Sequence, residues 1–148
     1  MTFYEQNAMR NEMKMISHLD KTSYLNLCKS ILRLDQNVLF VGIINDHGRL
    51  VDFAKKQNKM IQNLENIDLD MICMQARLYI SMQSDHDKNL GRFGHCITER
   101  EKITTLTIPT IYGTVLVISS NKTDSKELVK KIFRVTDDSC FAQMLDPC

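Results

Sequence analysis

The chain has 148 residues, 43% hydrophobic and 25% charged, with a formal net charge of +1. That length suits one domain with one substantial core, and the near-neutral balance gives no overall field to draw in nucleic acid or an anionic membrane. The longest apolar run is strand-sized, far short of the roughly 20 residues of a membrane span, and five widely spaced cysteines without a CxxC suit reduced thiols.

Residues 1–20 are polar and Met-rich. Met9, Met13 and Ile16 fall at helical spacing, which predicts a short helix in an otherwise loosely docked N-terminal extension. The stretch has no apolar signal core, so the expected location is cytoplasmic. From Thr22 the pattern changes. Thr22 or Ser23 can cap a helix whose stripe is Leu25, Cys28, Ile31 and Leu32, widened by Leu27 and Leu34.

The stretch VLFVGIINDHGRLVDF, residues 38–53, is the centre of the pattern. Seven apolar or Gly residues, with β-branched Val41, Ile43 and Ile44 among them, predict a buried strand. Asn45, Asp46 and Gly48 tolerate the positive φ of a tight turn, and residues 49–53 alternate well enough for a returning strand. Residues 55–65 read as a loop with a turn or two of helix around Met60, Ile61 and Leu64.

Asn66 or Asp68 can cap a helix over about 69–84. At 100° per residue one stripe holds Leu69, Ile72, Cys73, Ala76, Tyr79 and Ile80. A second stripe, Met71, Met74, Leu78 and Met82, lies almost opposite. Covering one side of a sheet needs one stripe only. The second is covered within the monomer by the N-terminal helix or the 55–65 loop, or else it meets a second copy, a protein partner or a ligand, since Met-rich faces adapt to partners.

A turn-rich loop over 84–90 leads to a predicted strand over 91–101, with Phe93, His95 and Ile97 on one side. A second strand over 102–110 shows imperfect alternation of Ile103, Leu106 and Ile108, and Pro109 fits only near its end. The Tyr112-Gly113 turn leads to a buried strand over 114–119, completing an antiparallel meander. Asp124 and Glu127 have capping-box spacing before a last helix with Leu128, Val129, Ile132, Phe133 and Val135 on its apolar face. Residues 137–148 form an acidic, irregular tail. The expected organisation is an extension over 1–20, an α+β domain with one antiparallel sheet over 21–136, and the tail.

Chemistry-bearing motifs are sparse. The chain has no P-loop, GxGxxG, GxSxG or HExxH pattern. His86, His95 and Cys96 form the one His/Cys cluster, too spread for a four-ligand zinc site. Cys96 adjoins His95, but neighbours along a strand face opposite ways, which separates a thiol from its base. Asp46 and His47 at the hairpin tip could pair as an acid and a base, but turn chemistry already explains Asn45, Asp46 and Gly48. Lys122, Lys126, Lys130, Lys131 and Arg134 give the last helix a basic face, read as solvated because no aromatic stacking platform accompanies it. No catalytic residue, metal site or cofactor is expected, and the chain reads as a non-enzyme.

The element order, with VLFVGIINDHGRLV as its opening hairpin, resembles the roadblock/LC7 and profilin-like group, to which PAS and GAF sensor domains are related. CKSILRLDQNVLFVGIINDHGRLV and ITEREKITTLTIP are similar to a family of small archaeal proteins from ammonia-oxidising lineages, over roughly residues 24–136. The resemblance implies a five-stranded sheet in order 2-1-5-4-3. It also implies dimerisation through the central helix and the following edge strand, here about 69–84 and 91–99. The candidate interface is therefore Met71, Met74, Leu78, Met82, Phe93, His95 and Ile97, in a regulatory module that forms a homodimer and binds a protein partner, with no nucleic acid and no membrane. The alternative is a PAS/GAF-like sensor holding a small ligand beside the sheet, although no haem or flavin signature is present.

Overall fold

The structure is a computed structural model that describes residues 21–136; the helix expected within 1–20 and the tail over 137–148 lie outside the described residues. The helices are α1 (Lys21–Leu32), α2 (Lys59–Gln62), α3 (Asn66–Ser84), α4 (Asp87–Leu90) and α5 (Ser125–Val135). The strands are β1 (Val38–Ile44), β2 (Leu50–Lys55), β3 (Cys96–Glu99), β4 (Ile103–Thr110) and β5 (Gly113–Ser120). They form one sheet in order β2-β1-β5-β4-β3, with every neighbouring pair antiparallel. The α+β class and the strand order expected from the resemblance are both present.

β1 is buried over its whole length, as an unbroken apolar run requires. The turn to β2 is held by the Asn45 side chain, whose Oδ1 accepts from the amides of His47 at 2.9 Å and Arg49 at 3.0 Å. Gly48 takes a φ of +76°, which glycine adopts without the clash a Cβ would bring. β2 alternates half-buried and exposed positions, the pattern of an edge strand covered on one face.

Strand alternation divides the core in two. On one face Cys28 and Ile31 of α1 and Leu128, Ile132 and Phe133 of α5 pack on Val41, Ile43, Leu106 and Val117. On the other face Ile61 of α2 and Cys73 of α3 pack on Phe40, Ile44, Leu116 and Ile118, with Leu69, Ile72 and Ala76 alongside. Ile103 belongs to the α3 face, whereas Leu106 and Ile108 belong to the α1/α5 face. An odd spacing across a pleated strand explains the imperfect alternation seen in the sequence.

Several boundaries differ from the sequence reading. α3 begins at Asn66, one turn before the expected 69, and its N-cap is Glu65 with no side-chain cap bond, so neither Asn66 nor Asp68 serves as the cap. The 84–90 loop contains the short helix α4. β3 has four residues rather than the eleven expected over 91–101. Gly91 at φ +88° breaks the extended chain there, and the amide of Phe93 donates to Asp87 Oδ1 at 3.0 Å, bending the chain back towards α4. At α5 the expected N-cap is in place: the amide of Glu127 donates to Asp124 Oδ1 at 3.3 Å.

Candidate functional site

The two stripes of α3 part company in the structure. Cys73 and Ile80 are buried, and Leu69, Ile72 and Ala76 pack beside the α3-side core. Met71, Met74, Leu78 and Met82 are 56%, 62%, 61% and 57% exposed. Apolar side chains left this open in a contiguous row are unusual on a soluble surface. The 55–65 segment does not cover them, because Met60, Ile61 and Leu64 are spent on the core beneath α3.

The earlier start of α3 adds a residue that the sequence reading missed. Ile67 is 67% exposed, and the positions 67, 71, 74, 78 and 82 fall within an arc of about 80° at 100° per residue. Steps of four, three, four and four keep all five on one side of the helix. Tyr79, placed on the buried stripe by the sequence, is instead half-open and meets the Phe93 ring edge-on with centroids 6.2 Å apart.

The flank of α3 rests on the β1–β2 turn. A Cβ at Gly48 would come within 3.3 Å of Met74 Cα and 3.7 Å of Arg77 Cβ, so a side chain there would press α3 outward by a few tenths of an ångström, on a φ of +76° that favours glycine. Arg77 reaches Asp46 Oδ1 at 3.8 Å. Asp46 thus faces a guanidinium on α3, and an acid-base pair of Asp46 with His47 is not what the turn builds. The turn fixes the height at which α3 stands over the sheet.

Phe93, His95 and Ile97 do not share one face, contrary to the sequence reading. Phe93 lies against Tyr79 of α3, while His95 meets the Phe133 ring of α5 at 6.3 Å and Ile97 packs on the α1/α5 core. The bend over 91–95 is the cause, since strand alternation holds only from Cys96 onward. His95 is open on one side, and desolvation on the other pushes its imidazole below the ordinary value. Cys96 pairs with Thr107 across the ladder and its Sγ lies 3.7 Å from Thr98 Oγ1, away from the His95 ring's partner.

β3 is a sheet edge, and Phe93, just before it, meets Tyr79 in the C-terminal half of α3. The opposite edge, β2, carries a bulge opposite Ile43/Ile44 and a Lys55 ammonium 6.0 Å from the Phe53 ring, two features that discourage strand addition. β3 has neither, and among the described residues it pairs only with β4.

Other groups offer little chemistry. Burial pushes the Cys28 thiol up to about 12 and the Cys73 thiol up to about 11, with Asp52 and Asp70 respectively adding to the effect. Both are neutral packing groups at ordinary pH. Among the described residues no three His, Cys, Asp or Glu side chains come together as metal ligands would. Lys122, Lys126, Lys130 and Arg134 stand exposed. Phe40, Ile44, Cys73, Leu116 and Ile118 fill the space between the sheet and α3, where a PAS-type ligand would sit. An open cleft of about 510 Å³ lies instead at the rim, between Leu64 after α2 and the β3–β4 turn.

Solved structures with this arrangement are known. The roadblock/LC7 domain from Streptomyces avermitilis matches with a TM-score of 0.61 at 10% identity, over 81% of this chain and 97% of that one. The fold is that of a roadblock/LC7 domain. Myxococcus xanthus MglB matches the same roadblock/LC7 fold with a TM-score of 0.63 at 17% identity, over 87% of this chain and 99% of its own. The gliding protein MglB from Thermus thermophilus matches at 0.62 and 10% identity, over 84% and 90%. At such identities the likeness is one of fold. Neither the family models nor the curated proteins compared with the chain match it. The narrower likeness to small proteins of ammonia-oxidising archaea rests on the sequence alone. Among the described residues no helix is long and apolar enough to cross a membrane.

Proposed function

We propose that this chain is a non-catalytic, cytoplasmic regulatory module, folded over 21–136, that works by forming a homodimer and presenting the assembled surface to a protein partner. The observation that carries the reading is the open seam of Ile67, Met71, Met74, Leu78 and Met82 on a helix whose other stripe packs on the sheet. A two-fold axis would lay two α3 helices antiparallel along that seam and bring the β3 edges of the two copies together. Self-complementary pairing of one patch is the commonest way a small domain assembles. MglB, of the same fold at 10% identity and a TM-score of 0.56, has been solved in a tetrameric arrangement, which accords with self-assembly.

Phe93, His95 and Ile97 enter this reading unequally. His95 and the β3 backbone lie at the joined edge, whereas Ile97 belongs to each protomer's own core. Amide hydrogen exchange tests the pairing directly. At high protein concentration the amides of β3 and α3 are protected, and on dilution below the dimer dissociation constant β3 loses protection first. Protection of β3 that is independent of concentration would contradict the assembly.

A further inference from the structure

We propose that the cleft of about 510 Å³ between α2 and the β3–β4 turn is completed in the dimer by the partner's Leu90. This rests on the dimer reading above and adds to it a specific contact. The cleft floor is apolar, with Met60, Ile61, Leu64, Ile103 and Ile118, and its rim carries Glu99, Arg100, Glu101 and Lys102. Met60, Leu64 and Ile103 are only half-buried there, whereas Ile61 and Ile118 are already covered.

Leu90 has the opposite problem. It ends α4 and is 82% exposed, the most open of the large apolar side chains among the described residues. A Cβ added at Gly91 would meet nothing within 4 Å, so the backbone directly after Leu90 is open, although Phe93 returns to pack on Tyr79. An open apolar residue on a projecting turn needs a partner surface.

The proposed two-fold brings the two together through both of its pairings. α3 follows Leu64 at the cleft and ends beside Phe93, so it runs opposite to β3, whose last residue Glu99 is at the cleft. An antiparallel β3–β3 pair sets the start of one strand beside the end of the other. It therefore carries the partner's residues 90–95 to the rim formed by Glu99, Arg100 and Glu101. An antiparallel α3–α3 pair sets the partner's helix C-terminus, and the α4 turn after it, beside the N-terminus of α3, which borders the same cleft.

The test places p-benzoylphenylalanine at position 90 of the full chain and irradiates mixed light and heavy isotope-labelled protein, with mass measured in the same sample by light scattering. Cross-links between unlike chains that map to residues 60–64 or 99–103 are expected. A dimer whose cross-links map elsewhere overturns this contact and leaves the dimer standing. A monomer at high micromolar concentration overturns both. Leu90→Asp should weaken the dimer by about tenfold or more, because the contact occurs twice. An unchanged dimer dissociation constant in a folded Leu90→Asp variant also overturns it.

Discussion

Placing two charges on the open face of α3, as Met74→Asp with Leu78→Asp, separates a surface from a core. Burying a Met or Leu side chain fully is worth about 1.5–3 kcal/mol, so residues about six-tenths open would each gain about 1–2 kcal/mol on pairing. Two residues counted on both sides of a two-fold give about 4–8 kcal/mol, which is a weakening of the dimer by about a thousandfold or more. Within one protomer the same changes cost only the poorer helix propensity of Asp, about 1 kcal/mol in total, and lower the melting temperature by a few degrees. Sedimentation equilibrium with a thermal melt of dilute protein reads both quantities. The expected result is a folded monomer. A variant that unfolds would show that the stripe is packed inside the protein, since two unpaired buried carboxylates cost far more than the marginal stability of a domain. A variant with unchanged self-association would refute pairing through this face.

Alkaline pH should destabilise the protein through its core thiols. Cys28 and Cys73 keep their protons in the folded chain up to about 12 and about 11, while the unfolded chain releases them near 9. The folded state therefore binds more protons above pH 9, and stability falls with rising pH by about 1.4 kcal/mol per unit per thiol. Denaturant unfolding of a Cys28→Ala, Cys73→Ala variant should show a shallower alkaline slope; equal slopes would sink the idea. Gly48→Ala should cost about 1–2 kcal/mol, because its φ of +76° disfavours a Cβ that would also press on Met74 Cα. Urea unfolding checks this, and an unchanged midpoint would mean that the turn is free to move off α3. Asp124→Ala removes the bond to the Glu127 amide and should cost about 1 kcal/mol, read as a lower midpoint with the slope retained.

What the sequence made legible follows from periodicity. The run over 38–44 has nowhere to go but a central strand, and two opposed apolar stripes on one helix state that the sheet can cover only one of them. The 3.6 period separated Leu69, Ile72, Cys73 and Ile80 from Met71, Met74, Leu78 and Met82 without any tertiary information. Ile67 escapes the pattern because Asn66 and Asp68 look like caps, whereas the helix starts at Asn66 behind a Glu65 that makes no side-chain bond. The spacing of Phe93, His95 and Ile97 imitates a strand that the chain does not form before Cys96. Only the bond from the Phe93 amide to Asp87 and the positive φ of Gly91 reveal that the chain turns before Cys96. Such side-chain-to-backbone bonds bridge residues whose spacing carries no periodic signal. The exposure of Leu90 was likewise invisible, since a lone apolar residue in a loop reads the same whether it is covered or open.

Absolute mass in solution tests the central claim most directly. Light scattering over a dilution series from micromolar concentration downward should give twice the 17.2 kDa of one chain at the upper end, falling to one chain on dilution. A mass of one chain throughout the series would contradict the assembly and return the α3 seam to some other partner.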